Sequence, residues 1–504
     1  MASGLLVLIM TKAKKTGLIL GFILFLTVAL FSDLEPGSPQ VTYTAAIALL
    51  MAVWWITEAV PLAITALLPV ALFPLFGVMS GKDVSVQYFN HVIFLFIGGF
   101  IVALAMQKWN LHKRIALMTL MIFGTKPARI LMGFMIATAF LSMWISNTAS
   151  AMMMVSIALS VIVSLEDLVD EKKMKRYSIG LLLGVAYSAS IGGIATLVGT
   201  PPNLSFARIF SINFPDAPEI SFAQWFVFAF PISIFLLFVV WVFLSLLFCR
   251  VNFSLDRKIF REEYKKLGRT GFEEKIVLVI FILLACLWLT RADIRIGSVF
   301  IPGWSGIFSA PEYINDGTVA IALSLLLFII PAKKEGQIMD WQSAVKLPWN
   351  IVLLFGGGFA LASGFMESGL SAWFGTQLSG LSGFSPVLII LALTFTITFL
   401  TELTSNTATA EMLLPILGAL AVAIGKNPLM LMIPATLSCS CAFMLPVATP
   451  PNAIIFGTQR IKISDMAKTG IFINLIGIIT ITTAIYLLGS LIGIDFNAFP
   501  KWAE

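Results

Sequence analysis

The chain has 504 residues, 59% of them hydrophobic and 12% charged, with a mean hydropathy of +0.98, which excludes an ordinary water-soluble domain. Its net charge of +6 and pI near 9.1 do not call for a nucleic-acid partner, because in so apolar a chain basic residues serve to hold loops in the cytoplasm. With two histidines, His91 and His112, and with Cys249, Cys286, Cys439 and Cys441 in or at the ends of apolar segments, no zinc or iron site, catalytic triad or disulfide framework is expected.

A membrane span needs about 20 apolar residues. Full-length candidates lie near 16–32, 42–58, 61–79, 90–107, 177–198, 222–249, 276–290, 317–331, 349–366, 430–447 and 469–493, eleven in all. The run after Lys12, Lys14 and Lys15 lacks a small-residue cleavage site and is taken as the first helix, not a signal peptide. Two further segments, 130–164 and 386–424, each have room for two short helices, as a re-entrant hairpin or as a pair of spans. With the N-terminus in the cytoplasm and the C-terminus outside, 26 of the 32 Lys and Arg fall on the inner side, in loops near 1–16, 107–129, 165–176, 250–275, 332–348 and 453–468. Lys82, Arg208, Arg291, Arg295, Lys426 and Lys501 are the exceptions. Between the halves, Arg257, Lys258, Arg261, Lys265, Lys266 and Arg269 with their interspersed acids read as a solvated cytoplasmic helix.

Three motifs occur twice in the same order. Phe96-Ile97-Gly98-Gly99-Phe100 returns as Phe355-Gly356-Gly357-Gly358-Phe359, and Ser146-Asn147-Thr148 returns 259 positions later as Ser405-Asn406-Thr407. Thr200-Pro201-Pro202-Asn203 returns as Thr449-Pro450-Pro451-Asn452. Helix-breaking residues at matching places of two membrane halves point to a transporter site. The halves are inverted: the stretch before the first triplet carries Lys108, Lys113, Arg114, Lys126 and Arg129, whereas residues 367–385 hold no Lys or Arg.

Where a helix breaks at membrane depth, its freed amides suit an anion, and bent carbonyls with Ser, Thr and Asn oxygens suit a hard cation such as sodium. Asn147 and Asn406 offer both an acceptor and two donors. One triplet alone reads equally well as a capped helix end; two inverted copies do not. No Lys, Arg or His lies near the triplets, so an anionic substrate would need bound cations to compensate it, while a neutral polar solute would fit the same groups. Glu58 reads as an interfacial anchor. Glu402 and Glu411 flank the second triplet, opposite Met143 or Trp144 and Met152 in the first half, and this asymmetry favours a local supporting role for both acids.

Leu141-Ser142-Met143-Trp144-Ile145-Ser146-Asn147-Thr148, Gly199-Thr200-Pro201-Pro202-Asn203 and Leu445-Pro446-Val447-Ala448-Thr449-Pro450-Pro451-Asn452-Ala453-Ile454 resemble the divalent anion/sodium symporter family. Trp109-Asn110-Leu111-His112-Lys113-Arg114 is similar to its di- and tricarboxylate branch, and the resemblance covers nearly the whole chain. It implies an all-α polytopic membrane protein of about eleven transmembrane helices plus two re-entrant helical hairpins in two inverted-topology repeats, assembled as a homodimer. Residues 1–129 would form scaffold helices one to four, 130–249 a hairpin with helices five and six, 250–366 a cytoplasmic linker with helices seven to nine, and 367–504 the second hairpin with helices ten and eleven. Elevator-like alternating access follows from the resemblance. By the same route one sodium site would use Ser142, Ser146, Asn147 and Gly199, and another Thr401, Thr404, Asn406 and Ala448. The substrate would lie among Ser146, Asn147, Thr148, Thr200, Pro201, Ser405, Asn406, Thr407, Thr449 and Pro450. Ser156 stands where the second half has Pro415 and where the family has proline in both halves.

The function expected is sodium-coupled uptake of a C4-dicarboxylate such as succinate, malate or fumarate across a bacterial inner membrane. Citrate, sulfate and sodium-independent dicarboxylate exchange are the alternatives within transporters. A membrane-embedded enzyme lacks a nucleophile with a base or a metal cluster, and a channel does not explain sites opening from opposite sides.

Overall fold

The structure, a computed structural model, describes residues 12–123, 125–166, 169–251, 253, 258–296, 299–333, 336–378, 380, 383–496 and 498–504. The apolar runs fold as helices because lipid offers a free backbone no hydrogen-bond partners, and among the described residues nine helices are long and apolar enough to cross a membrane. Lys12–Phe31, Pro39–Thr57, His91–Lys108, Phe222–Phe248, Phe272–Thr290, Asp316–Ile329, Trp349–Ser368 and Ile463–Leu488 follow the expected spans. Lys258–Lys266 is the helix between the halves; of the residues assigned to it from sequence, Arg269 falls beyond its end and Arg257 lies outside the described residues.

Several expected elements come out differently. The segment 61–79 is broken into Leu62–Thr65 and Leu68–Leu75, a run punctuated by Pro61, Pro69 and Pro74, which cannot donate to a helix ladder. The segment 430–447 is helical as Leu429–Cys439 and then leaves the helix until Pro450–Gly457. Its twin, Glu171–Ile194, likewise stops ahead of Pro201–Asn213. The supposed loops 107–129 and 367–385 contain the helices Leu111–Phe123 and Leu370–Leu378, too short and too mixed in composition to register as spans. Arg114, expected in a solvated loop, is instead buried in an ion pair with Glu274, and its guanidinium also donates to the Gly268 carbonyl at 3.2 Å.

Each triplet segment forms two helices with a short tip between them: Pro127–Ser142 with Asn147–Glu166, and Pro386–Leu400 with Asn406–Ala423. The centre of the molecule is Glu171–Ile194, whose apolar window is wholly buried. Its small residues let neighbouring backbones approach, as membrane helix packing requires; a Cβ on Gly192 would fall on the Ala139 backbone of the first hairpin. A second apolar cluster gathers the first two long helices, Tyr88 and Leu354 and Phe365 of Trp349–Ser368, with Ala408 and Met412 of the second hairpin sunk into it.

Candidate functional site

Four helices begin around one cavity: Asn147–Glu166, Pro201–Asn213, Asn406–Ala423 and Pro450–Gly457. All four bring the positive end of a dipole, and the helices that begin at Asn147 and Asn406 also bring first-turn backbone N–H groups, which Pro201-Pro202 and Pro450-Pro451 lack. The cavity encloses about 750 Å³, and all ten residues assigned to the substrate from sequence line it. The motifs that mark these breaks in the sequence are also what builds them. Thr449 accepts a hydrogen bond from the Asn452 amide at 3.3 Å, and Pro201 and Pro450 open their helices where no N–H is required. Ser146 accepts from the Ala149 amide at 3.3 Å, so its side chain caps the helix while its neighbour Asn147 turns inward.

Asn203 and Asn452, the last residues of the Thr-Pro-Pro-Asn motifs, clamp the non-helical loops. Asn203 Nδ2 donates to the carbonyls of Gly193, Ile194 and Thr196 at 3.2, 3.2 and 2.7 Å. Asn452 Nδ2 donates to those of Ala442 and Leu445 at 3.1 and 3.0 Å. The loops are also fastened to the hairpin tips, by different chemistry in each half. Thr196 Oγ1 donates to the Met143 carbonyl at 2.6 Å. In the second half the Glu402 carboxylate accepts from the amides of Phe443, Met444 and Leu445 at 2.6, 2.8 and 3.0 Å and from Asn474 Nδ2 at 2.8 Å. The supporting role read for Glu402 in the sequence thus has a concrete form, a carboxylate presented to three successive backbone donors.

Behind the cavity surface the oxygens converge. Ser142 Oγ donates to the Ala189 carbonyl at 2.7 Å and touches the Asn147 side-chain amide. That amide faces the carbonyls of Ala189 and Gly199 at 3.1 and 3.2 Å. With its nitrogen toward them it donates to both. Thr401 Oγ1 repeats the pattern, 2.7 Å from Asn406 Oδ1 and 3.1 Å from the Cys439 carbonyl. Thr404, assigned to the same cluster, spends its hydroxyl on the Leu400 carbonyl at 3.0 Å and on Thr409 at 2.6 Å, while Ala448 lines the cavity. The carbonyls of Ala189 and Cys439 escaped the sequence reading because a backbone oxygen leaves no mark in the residue letters.

The remaining lining from 55–62, 100 and 350–354 is mostly apolar, with Trp55, Ile56, Leu62, Phe100, Ile351 and Leu354 beside Thr57, Glu58 and Asn350. Glu58 ends its helix at φ 46° and pairs with Lys14 at 3.7 Å. No Lys, Arg or His lines the cavity among the described residues. Glu411 does not reach it: it is fully buried and accepts from Ser205 Oγ.

In overall shape the chain is similar to the YdaH transporter of Alcanivorax borkumensis, with a TM-score of 0.56 at 13% identity over 89% of this chain and 98% of that one. MtrF of Neisseria gonorrhoeae is alike at 0.56 and 14%, covering 92% and 98%. In sequence it is 44% identical over 494 residues to the sodium-dependent dicarboxylate transporter SdcS of Staphylococcus saprophyticus, covering 95% of this chain and 92% of that protein. The SdcS of Staphylococcus aureus strain MRSA252 is 44% identical over 492 residues with the same coverage. The family described as the sodium:sulfate symporter transmembrane region matches residues 12–494, and with two helix breaks facing one cavity the chain belongs to that family.

Proposed function

We propose that the protein is a sodium-coupled symporter that imports C4-dicarboxylates such as succinate, malate and fumarate. The observation that carries this reading is the cavity itself: four helix N-termini and two Ser-Asn-Thr triplets around one space, with no basic side chain. A dianion placed there meets backbone donors and Asn amides, which hold carboxylates at two facing ends. Its charge still needs compensation, and the hydroxyls of Ser142 and Thr401 with the carbonyls of Ala189 and Cys439 are places where sodium ions supply it. Dicarboxylate as the substrate class is supported by the SdcS relatives, both named for it.

The two hairpins with the helices around the broken loops form a moving body, and the helices of 12–123 and 258–368 a scaffold. A polar face on the body against an apolar wall on the scaffold suits an elevator motion, because the wall makes no directional bonds that sliding would break. Glu58 lines the cavity and pairs with Lys14 of the basic N-terminal segment, so with the basic loops inside the cavity reaches the cytoplasmic side. Two copies in the inner membrane would anchor the scaffold. The test is radiolabelled succinate uptake into proteoliposomes. An inward sodium gradient should drive accumulation; equal rates in choline or potassium buffer would overturn sodium coupling and favour exchange.

A further inference from the structure

The second hairpin's long helix, Asn406–Ala423, is held on two sides. On one, Ser205 donates to Glu411 Oε1 and the Asn213 amide lies over Gly418 two turns further on. On the other, Ala408 and Met412 sink into the apolar cluster around Trp349–Ser368, and the Glu411 carboxyl rests against Gly358, where any Cβ would fall on it. Glu411 has no exposure, no ion pair among the described residues, and an Oε2 with no hydrogen-bond partner among them. As packing this is poor: an apolar side chain of the same size would fill the notch without a half-satisfied carboxyl.

The inverted repeat supplies its counterpart. At the offset of 259, Glu411, Pro415 and Ala419 correspond to Met152, Ser156 and Ser160, and Gly358 corresponds to Gly99. Met152 is 57% exposed, and Ser156 and Ser160 are exposed with it, whereas Glu411 and Pro415 are buried. Two faces that occupy equivalent places in the repeat are therefore in opposite environments, one docked on the scaffold and one free. When the cavity changes sides, the symmetry requires them to exchange.

Resting on the sliding body proposed above, we infer that Glu411 is a latch: seated in the Gly358 notch it positions the body in the state described here, and it leaves the notch in the opposite state, when the Met152, Ser156 and Ser160 face docks beside Gly99. Glu411 touches no substrate in this scheme. It acts by aligning the helices that begin at Pro201 and Asn406 and by fixing where the body stops against the scaffold.

The experiment uses the full-length Ser156→Cys protein in proteoliposomes, treated with N-ethylmaleimide, with modification read at residue 156 by peptide mass. The parent should label. Adding Gly358→Ala fills the notch and should slow labelling roughly five-fold or more as the population moves to the opposite state; adding Glu411→Ala as well makes room for the methyl and should restore the parent rate. A misfolded Gly358→Ala protein would label faster, so the direction separates the two effects. An unlabelled parent, an unslowed Gly358→Ala protein, or a double variant that stays slow overturns the latch. Sodium-driven succinate uptake by the Ser156→Cys parent tests the proposed function on its own. Uptake without the labelling shift refutes the latch alone, and the shift without uptake refutes the substrate and leaves the latch standing.

Discussion

Removing the Glu402 carboxylate tests whether the bent loop of the second half must be held for the ion cluster to form. Glu402→Ala takes the acceptor from four donors at 2.6 to 3.0 Å. The amides of Met444 and Leu445 are partly buried and can hydrate, whereas the Phe443 amide and Asn474 Nδ2 are buried. At roughly 1–3 kcal/mol for each buried donor left unsatisfied, the loop loses about 2–6 kcal/mol. A transfer of even ~1.4 kcal/mol of this to the ion-bound state raises the sodium needed for half-maximal succinate uptake about tenfold. Glu402→Gln should rescue most of the loss, because its carbonyl oxygen can stand where Oε1 accepts from Phe443, Met444 and Asn474, leaving only the Leu445 amide facing the NH2 group. The assay is sodium-dependent succinate uptake in proteoliposomes, with binding to the purified protein as a check on folding. A Glu402→Ala protein with unchanged sodium dependence would refute the reasoning.

Asn147→Ala and Asn406→Ala each remove a side-chain acceptor and two donors from the cavity, at roughly 1–3 kcal/mol per unsatisfied partner; each should cripple uptake and, on the proposed sodium coupling, raise the sodium requirement, whereas Ser156→Ala, whose exposed hydroxyl bonds the Met152 carbonyl at 3.0 Å, should be mild. Succinate uptake should fall as pH drops through the substrate's second carboxyl pKa if the dianion is carried, and a rise at acid pH would count against it. Arg114→Ala leaves Glu274 buried without its cation and should destabilise the detergent-solubilised protein by about 3–5 kcal/mol, seen as a lower melting temperature. Lys108, 2.6 Å from Asp340, holds that carboxyl down at about 2. Its folded value lies below the unfolded one near ~4, so the pair's stabilisation is present above that pH and fades as pH falls toward 2. The melting difference between wild type and Lys108→Ala, worth at most ~1 kcal/mol for so exposed a pair, should shrink over the same window.

The repeated motifs mark the cavity in the sequence: polar letters inside apolar runs are costly unless used, and both Ser-Asn-Thr triplets, with the Thr-Pro pairs that the resemblance adds, line it. Asn203 and Asn452 stood in the same motifs, yet their work as loop clamps depends on which carbonyls fold back toward them. Composition also cannot tell where an apolar helix stops. Residues 430–447 read as a single span because Phe443, Met444 and Leu445 are as apolar as any membrane helix, and what takes their amides out of the ladder is Glu402, some 40 positions away. Leu111–Phe123 was missed for the opposite reason: its charged letters resemble a solvated loop until Glu274 is found beside Arg114.

Among the described hydrogen bonds, every one that fastens a bent loop comes from its own half of the chain. Met143, Asn203, Trp225 and Ser233 hold the loop after Ile194 and the turn before it; Glu402, Asn452 and Asn474 hold the loop after Cys439. The two loops can therefore be set one after the other as the chain emerges from the ribosome, the first fastened before Glu402 has been made. Self-sufficiency of this kind also lets the halves diverge after duplication, a hydroxyl serving in one and a carboxylate in the other, without either having to wait for a matching change in its twin.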